Sequence, residues 1–197
     1  MARNPPSAPV SGKKPPEERE LKFRVEGLDG VRERLIEIEG DRVGPGSFED
    51  NWVLDRNNEL ETIGCVLRLR RDGRGAYVTY KGPRRIEGAV KVRVEHEFSV
   101  EGEGVDQAKA LFEALGYRVM RRYQKVREEW RVGGVTIALD HTPIGDYVEF
   151  EGDRAEVLAK RCGLDLKKVE QRSYLRLYDD YLKDHPEAPP EMVFPEE

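Results

Sequence analysis

Residues 18–25 alternate strictly: Glu18, Glu20, Lys22 and Arg24 fall on one side, Leu21, Phe23 and Val25 on the other. That period of two predicts a strand with a charged face and an apolar face. The pattern returns along the chain. It predicts strands over 64–71, with Arg68 and Arg70 opposite Cys65, Leu67 and Leu69, and over 76–81, joined by a turn at Gly73-Arg74-Gly75. It is plainest over 90–100, where Lys91, Arg93, Glu95 and Glu97 oppose Val90, Val92, Val94, His96 and Phe98. It recurs over 123–131 (Lys125, Arg127 and Glu129 opposite Val126 and Trp130), 135–140 (exposing Asp140) and 147–151 (Glu149 and Glu151 opposite Val148 and Phe150). Residues 51–55 read as a shorter strand ending in a turn at Arg56-Asn57-Asn58.

Helical spacing appears between these strands. Val31, Leu35 and Ile38 predict a helix over 28–39, capped by Asp29 and stopped by Gly40. Ala108, Leu111, Phe112 and Leu115 predict one that starts at Asp106 and stops at Gly116. Asp153 and Glu156 form a capping box for a helix through Cys162, and a last helix is expected from Asp165 to about Leu182. The run from Glu20 to Gly27, then a helix and Gly40, is echoed by Glu95 to Gly102, then a helix and Gly116, with Trp52 and Trp130 further on in each half. Two similar halves point to a pseudo-symmetric sheet or barrel.

About eight strands with short connections indicate an α+β fold with antiparallel pairing. Periodicity alone allows either an open sheet with a wetted face or a closed barrel with a charged lumen. The polar faces collect Glu18, Glu20, Asp140, Glu149 and Glu151 together with Lys22, Arg68, Arg70, Lys81, Arg93, Lys125 and Arg127. A merely solvated face would tolerate Ser, Thr and Gln in their place. The expectation is therefore a closed antiparallel eight-stranded barrel or tunnel with helices packed outside. Confined charge must be compensated by other charge or by a ligand.

Composition narrows this further. The chain has 197 residues, 37% charged, with a formal net charge of −5, which argues against a general nucleic-acid or membrane binder acting through its charge. Two cysteines, Cys65 and Cys162, make no disulfide framework or zinc spacing, so they are expected in the core of a cytoplasmic protein. Residues 1–17 are proline-rich without an apolar run and read as a disordered tail rather than a signal or anchor. The domain is expected over 18–183, followed by an acidic, proline-rich tail over 184–197 that trails off or drapes over the fold. His96 is expected to pack on the apolar side, His141 and His185 to sit in loops, and Arg71, Arg74, Arg84 and Arg85 to be solvated or at a tunnel mouth.

Acids beside many bases suit a polyanion bridged by Mg2+ or Mn2+, with the metal on carboxylate and phosphate oxygens and Arg and Lys on the remaining phosphate oxygens. No phosphate-binding glycine loop occurs. Glu18-Arg19-Glu20-Leu21-Lys22 resembles the Glu-x-Glu-x-Lys signature of the CYTH superfamily, the triphosphate tunnel metalloenzymes. Leu67 to Arg70, Thr79 to Pro83, Arg93-x-Glu95-x-Glu97, Lys125-x-Arg127-x-x-Trp130, Leu139-Asp140 and Gly145 to Glu151 resemble its later strand motifs, in order. Tyr80 to Pro83 and Ser173-Tyr174 look most like its class IV adenylyl cyclase branch.

The resemblance implies metal binding by Glu18, Glu20, Asp140, Glu149 and Glu151. It implies triphosphate binding by Lys22, Arg68, Arg70, Lys81, Arg93, Lys125 and Arg127. Lys22 is the candidate to touch the reacting phosphate, whereas Glu95 and Glu97 are expected to balance nearby arginines. The implied reaction is conversion of ATP to cyclic AMP and pyrophosphate. The alternatives are hydrolysis of tripolyphosphate or thiamine triphosphate, and a barrel that binds polyphosphate or nucleotide without turnover.

Overall fold

The computed structural model describes residues 16–101 and 104–196. β1 spans Glu17–Val25 and leads to α1 (Asp29–Glu37), the two-residue β2 (Asp41–Arg42), β3 (Ser47–Asp55) and the short α2 (Glu59–Thr62). A hairpin of β4 (Val66–Asp72) and β5 (Gly75–Lys81) follows, then β6 (Arg85–Glu87) and β7 (Val90–Val100). The second half runs α3 (Val105–Ala114), β8 (Arg118–Val132), β9 (Val135–Thr142), β10 (Gly145–Glu151), α4 (Ala155–Arg161), a 3-10 turn (Leu166–Lys168) and α5 (Tyr174–Asp184).

Every ladder is antiparallel, in the order β1-β10-β9-β8-β3-β4-β5-β7, and β1 pairs again with β7 to close the barrel. β2 and β6 are annexes on β8 and β7. The order is symmetric under exchange of β1, β3, β4 and β5 with β7, β8, β9 and β10, the two halves that the echoed strand and helix suggest.

Alternation decides which side chains face which way. The apolar faces of β1, β7, β9 and β10 point outward and pack beneath α1 and α4, with Leu21, Val92, Ile137, Leu139, Val148 and Phe150 fully buried there. Trp52, Leu69 and Val78 of β3, β4 and β5 pack with Val105 and Ala108 of α3. A further cluster joins Tyr123, Ile144 and Tyr147 to Tyr174, Leu177 and Tyr178 of α5 and to Met192. The first two clusters thus sit outside the sheet and the third closes one end of the lumen, most of whose remaining lining is ionic.

Several expectations need correction. The last helix is interrupted: Asp165 caps only the 3-10 turn, accepting from the Lys167 N–H, and α5 begins after Ser173, whose hydroxyl accepts from the Arg176 N–H. Asp29, Asp106 and Asp153 do not cap, since the residues before those helices are Leu28, Gly104 and Arg154. Beyond α1, Glu39 turns the chain in the left-handed region (φ 56°), and Gly40 suits the close approach that follows, since a Cβ there would lie 3.0 Å from the Leu35 carbonyl oxygen. His96 is exposed and lies over Tyr80, and His141 belongs to β9. Residues 1–15 lie outside the described residues. At the other end, Met192 is fully buried and its carbonyl accepts from the Gln124 N–H. That stretch of β8 extends past β9, whose pairing with it starts at Val126, so the C-terminal segment covers a strand edge that would otherwise be bare.

Candidate active site

The barrel encloses a cavity of about 730 Å³, inside the range of about 300–1,000 Å³ usual for small-molecule sites. Of the candidate residues, Glu18, Glu20, Lys22, Arg68, Arg70, Lys81, Arg93, Lys125, Arg127, Glu149 and Glu151 all line it. Asp140 is the exception. It is fully buried and held by Lys125 Nζ (3.0 Å), Arg127 Nε (2.7 Å) and the Tyr174 hydroxyl (2.7 Å). With its oxygens taken by those donors, Asp140 orients the two bases from behind the cavity wall.

The charge is laid out on two opposed walls. β8, β3 and β4 carry Lys125, Arg127, Arg68 and Arg70, and within that basic wall stands Glu49, which the sequence pattern does not single out. Glu49 is 1% exposed. Its neighbours Lys125, Arg127 and Arg70 approach at 3.5, 3.8 and 3.9 Å. Burial pushes its carboxyl up, but Lys125, Arg127, Arg70 and Arg68 together hold it at about 2. Glu97, two strands along the sheet on β7, accepts from Arg68 and Arg70 at 3.3 and 3.1 Å, the balancing role expected of it.

β7, β1 and β10 form the acidic wall, with Glu95, Glu18, Glu20 and Glu151. Lys81 bridges Glu95 (2.7 Å) and Glu18 (3.3 Å), while Lys91 takes Glu20 at 2.6 Å. Arg93 donates to the Gly82 carbonyl (2.6 Å), so in this state it braces the β5–β7 connection. Burial pushes the Glu18 carboxyl up, opposed by Lys81 and reinforced by a hydrogen bond with Glu95. Glu151, at the cavity rim, is pushed up to about 7 by burial and by the charges of Glu18 and Glu95. Carboxyls forced to keep or share protons mark negative charge in excess of the local lysines, the condition a divalent cation relieves.

Glu149 and Lys22 stand where the walls meet. Burial raises the Glu149 carboxyl, but Lys22, Arg127 and Lys125 hold it well below the usual range, and it is paired to Arg127 and to Lys22 (3.2 Å). Lys22 lies 4.0 Å from Glu20 and 4.0 Å above the Tyr174 ring, and donates to the Arg172 carbonyl at 3.4 Å. Lys22 thus shares Glu149 with Arg127 and the Tyr174 ring with Lys125, while its own contacts are acceptors and a ring face.

Among the described residues no three acidic, His or Cys side chains converge into a ready-made metal cage. Mg2+ commonly takes one or two protein carboxylates and completes its shell with water and substrate phosphates, so Glu18, Glu20 and Glu151 fit a cation delivered with a phosphorylated ligand. No helix among the described residues is long and apolar enough to cross a membrane.

Fold and cavity together define a closed antiparallel barrel with an ionic, ligand-sized lumen. The chain belongs to the CYTH family, whose CYTH domain matches residues 16–180. A "putative adenylate cyclase" of Methanocaldococcus jannaschii is 22% identical over 171 residues, covering 80% of this chain and 96% of that protein. The X-ray structure of a "putative adenylate cyclase" from Vibrio parahaemolyticus is 25% identical with TM-score 0.73, covering 84% of this chain and 99% of that one. A Hippeastrum barrel titled as a "putative adenylyl cyclase" with a dominant triphosphatase activity shares the fold (15% identity, TM-score 0.64, covering 83% of this chain and 96% of that one).

Proposed function

We propose that this chain is a metal-dependent enzyme that grips a linear triphosphate in its lumen and converts ATP to cyclic AMP and pyrophosphate. The observation that carries the reading is the meeting of a basic wall from β8, β3 and β4 with an acidic wall from β7, β1 and β10 around one cavity. The cyclase names of the Methanocaldococcus and Vibrio relatives support the choice of reaction.

In this reading Arg68, Arg70, Lys125 and Arg127 bind the phosphate oxygens, with Lys81 and Arg93 available to an oxygen that draws them from Glu18, Glu95 and the Gly82 carbonyl. Asp140 fixes Lys125 and Arg127 so that little reorganisation is needed when charge develops. Lys22, wedged against Glu149 and Tyr174, offers a held cation to the reacting phosphate. Glu18, Glu20 and Glu151, with Glu149 at the junction, would hold Mg2+ or Mn2+, which when bound supplies neutralisation of charge on the phosphoryl groups. Positioning and charge neutralisation supply most of the catalysis in phosphoryl transfer, and cyclisation adds the in-line approach of the ribose 3′-hydroxyl to the α-phosphorus.

Hydrolysis of tripolyphosphate or thiamine triphosphate is the second reading. The same basic wall would grip a bare triphosphate, and the Hippeastrum barrel carries a cyclase name beside a triphosphatase activity. Incubating the protein with Mg2+ or Mn2+ and each of ATP, tripolyphosphate and thiamine triphosphate decides between them. Cyclic AMP with equimolar pyrophosphate is the expected result. Orthophosphate without cyclic AMP contradicts cyclisation and supports hydrolysis, and binding without turnover contradicts both.

A further inference from the structure

The two halves of the barrel match in register, yet one of them is left uncovered. On the outer face of β1 and β10, Leu21 pairs with Phe150 and Phe23 with Val148; on β7 and β5, His96 pairs with Tyr80 and Phe98 with Val78. α4 packs over the first set, and Phe23 is 2% exposed. The chain runs from β5 through β6 to β7 without a helix to do the same for the second, and Phe98 is 62% exposed. The strand edges differ in the same way. β1 is covered beyond its contact with β7 by the Phe23–Val169 bridge and by the Glu170 N–H, which donates to the Lys22 carbonyl at 2.7 Å. β7 pairs with β1 over 91–94, and the Glu95 N–H donates to the Pro16 carbonyl at 3.1 Å. Past that bond, the edge of β7 over 96–100 on the side away from β5 has no partner among the described residues.

α3 enlarges this bare surface. It packs on β4 and β5, and Lys109 Nζ lies 5.1 Å from the centre of the Trp52 ring, which fixes the flank that faces β3. Leu111 is about 200° further round the helix, on the flank that the order β3-β4-β5-β7 turns toward Phe98. Leu111 and, one turn on, Leu115 are 60 and 55% exposed, with Ala110 and Ala114 exposed beside them.

We infer that β7 and α3 form the interface of a two-fold dimer of this chain: the 96–100 edges pair antiparallel about Phe98, and Phe98, Leu111 and Leu115 of both copies pack between the two α3 helices. An unpaired edge is a template for another strand, and a two-fold interface needs a surface that complements itself. This one does. Pairing about Phe98 sets Glu97 opposite the partner's Ser99, which keeps like charges apart. With strands about 4.8 Å apart, α3 and its copy stand roughly 14–19 Å from each other, against about 8–10 Å for helices in direct contact. Phe98, Leu111 and Leu115 from each side fill that difference. The bare patch is on the order of the 300–600 Å² that marks an interaction site on a monomer. Two such patches, with the paired edges and their polar rims, supply roughly the 1,200–2,000 Å² that a specific dimer buries.

The test is sedimentation equilibrium of the full chain at micromolar concentration, where twice the chain mass is the expected result. Phe98→Lys and Leu111→Lys should each weaken the dimer at least about 30-fold, as a charge at the centre of an interface does. Ile36→Lys replaces a residue of similar exposure (61%) on α1 and should leave the dimer intact. All three side chains are exposed, so thermal melting should report a folded chain in each case; where β7 does not tolerate a lysine, Leu111→Lys on the helix surface decides alone. A wild-type chain that sediments as a monomer overturns the interface. So does a dimer that survives the folded Phe98 and Leu111 variants, or one that Ile36→Lys dissociates equally well.

Discussion

Glu49 and Glu151 are the same residue in the same lumen, yet one is held at about 2 and the other pushed up to about 7. The difference lies in what surrounds them. Glu49 on β3 stands among four bases of β8 and β4, whereas Glu151 faces Glu18 and Glu95 from β1 and β7. The basic wall sets Lys125, Arg127, Arg68 and Arg70 against Glu49, Asp140 and Glu97, and the acidic wall sets Glu18, Glu20, Glu95 and Glu151 against Lys81 and Lys91, so the balance left on the two has opposite sign. Each imbalance is the complement of half of a metal–triphosphate complex. Buried ion pairs contribute little net stability because desolvation offsets their attraction, so this division of charge is better explained by a ligand than by folding.

The largest expected effect breaks the acidic wall alone. A Glu18→Gln, Glu20→Gln change should lower metal-dependent turnover by about 10³-fold or more, the several kcal/mol a bound cation supplies. Binding of tripolyphosphate in EDTA should persist, measured by calorimetry. Breaking the basic wall should do the reverse. Arg70→Gln removes one charge-assisted contact, worth about 1.5–3 kcal/mol, and should weaken tripolyphosphate about 10- to 150-fold in EDTA and raise the KM for turnover.

A third, smaller effect sharpens the contrast through protons. Because the folded Glu151 value of about 7 lies above the ordinary 4.5, the metal-free folded protein holds a proton there that the unfolded chain lacks. Its stabilising contribution is present in acid and is lost as pH rises through about 7. Melting of the metal-free protein between pH 5 and 8 should show this decline, and Glu151→Gln should flatten it. Mn2+ binding at pH 7 should release roughly half a proton from the native chain, read from calorimetry in two buffers of different ionisation enthalpy, and less from Glu151→Gln. Smallest is a change outside both walls. Arg32→Ala loses the outward pair with Glu128 (3.2 Å) and should cost about 1 kcal/mol or less in denaturant unfolding, with turnover unchanged.

Most of the barrel was legible because its strands carry charge on one face and aliphatic residues on the other, a signal that survives without an alignment. β3 shows where that signal fails. Glu49 and Asp50 are adjacent acids, one inside the lumen and one outside bonding Arg122, so the run shows no alternation and the inward acid went unmarked. Asp140 shows a second limit. Its position on the inward face was readable, but its enclosure by Lys125, Arg127 and Tyr174 depends on groups up to 34 residues away, and local periodicity carries no such information. The break before α5 was hidden likewise: Asp165 is a sound cap, but for a 3-10 turn, while the backbone from Val169 to Arg172 crosses the barrel end to meet Phe23 and Lys22. β2 and β6 are too short to carry any period.

The most direct measurement is a crystal structure with tripolyphosphate and Mn2+, using manganese anomalous scattering to locate the cation. The phosphates should lie against Arg68, Arg70, Lys125 and Arg127, with the manganese between them and Glu18, Glu20 and Glu151. Phosphates bound outside the lumen, or manganese away from that acidic wall, would contradict the account.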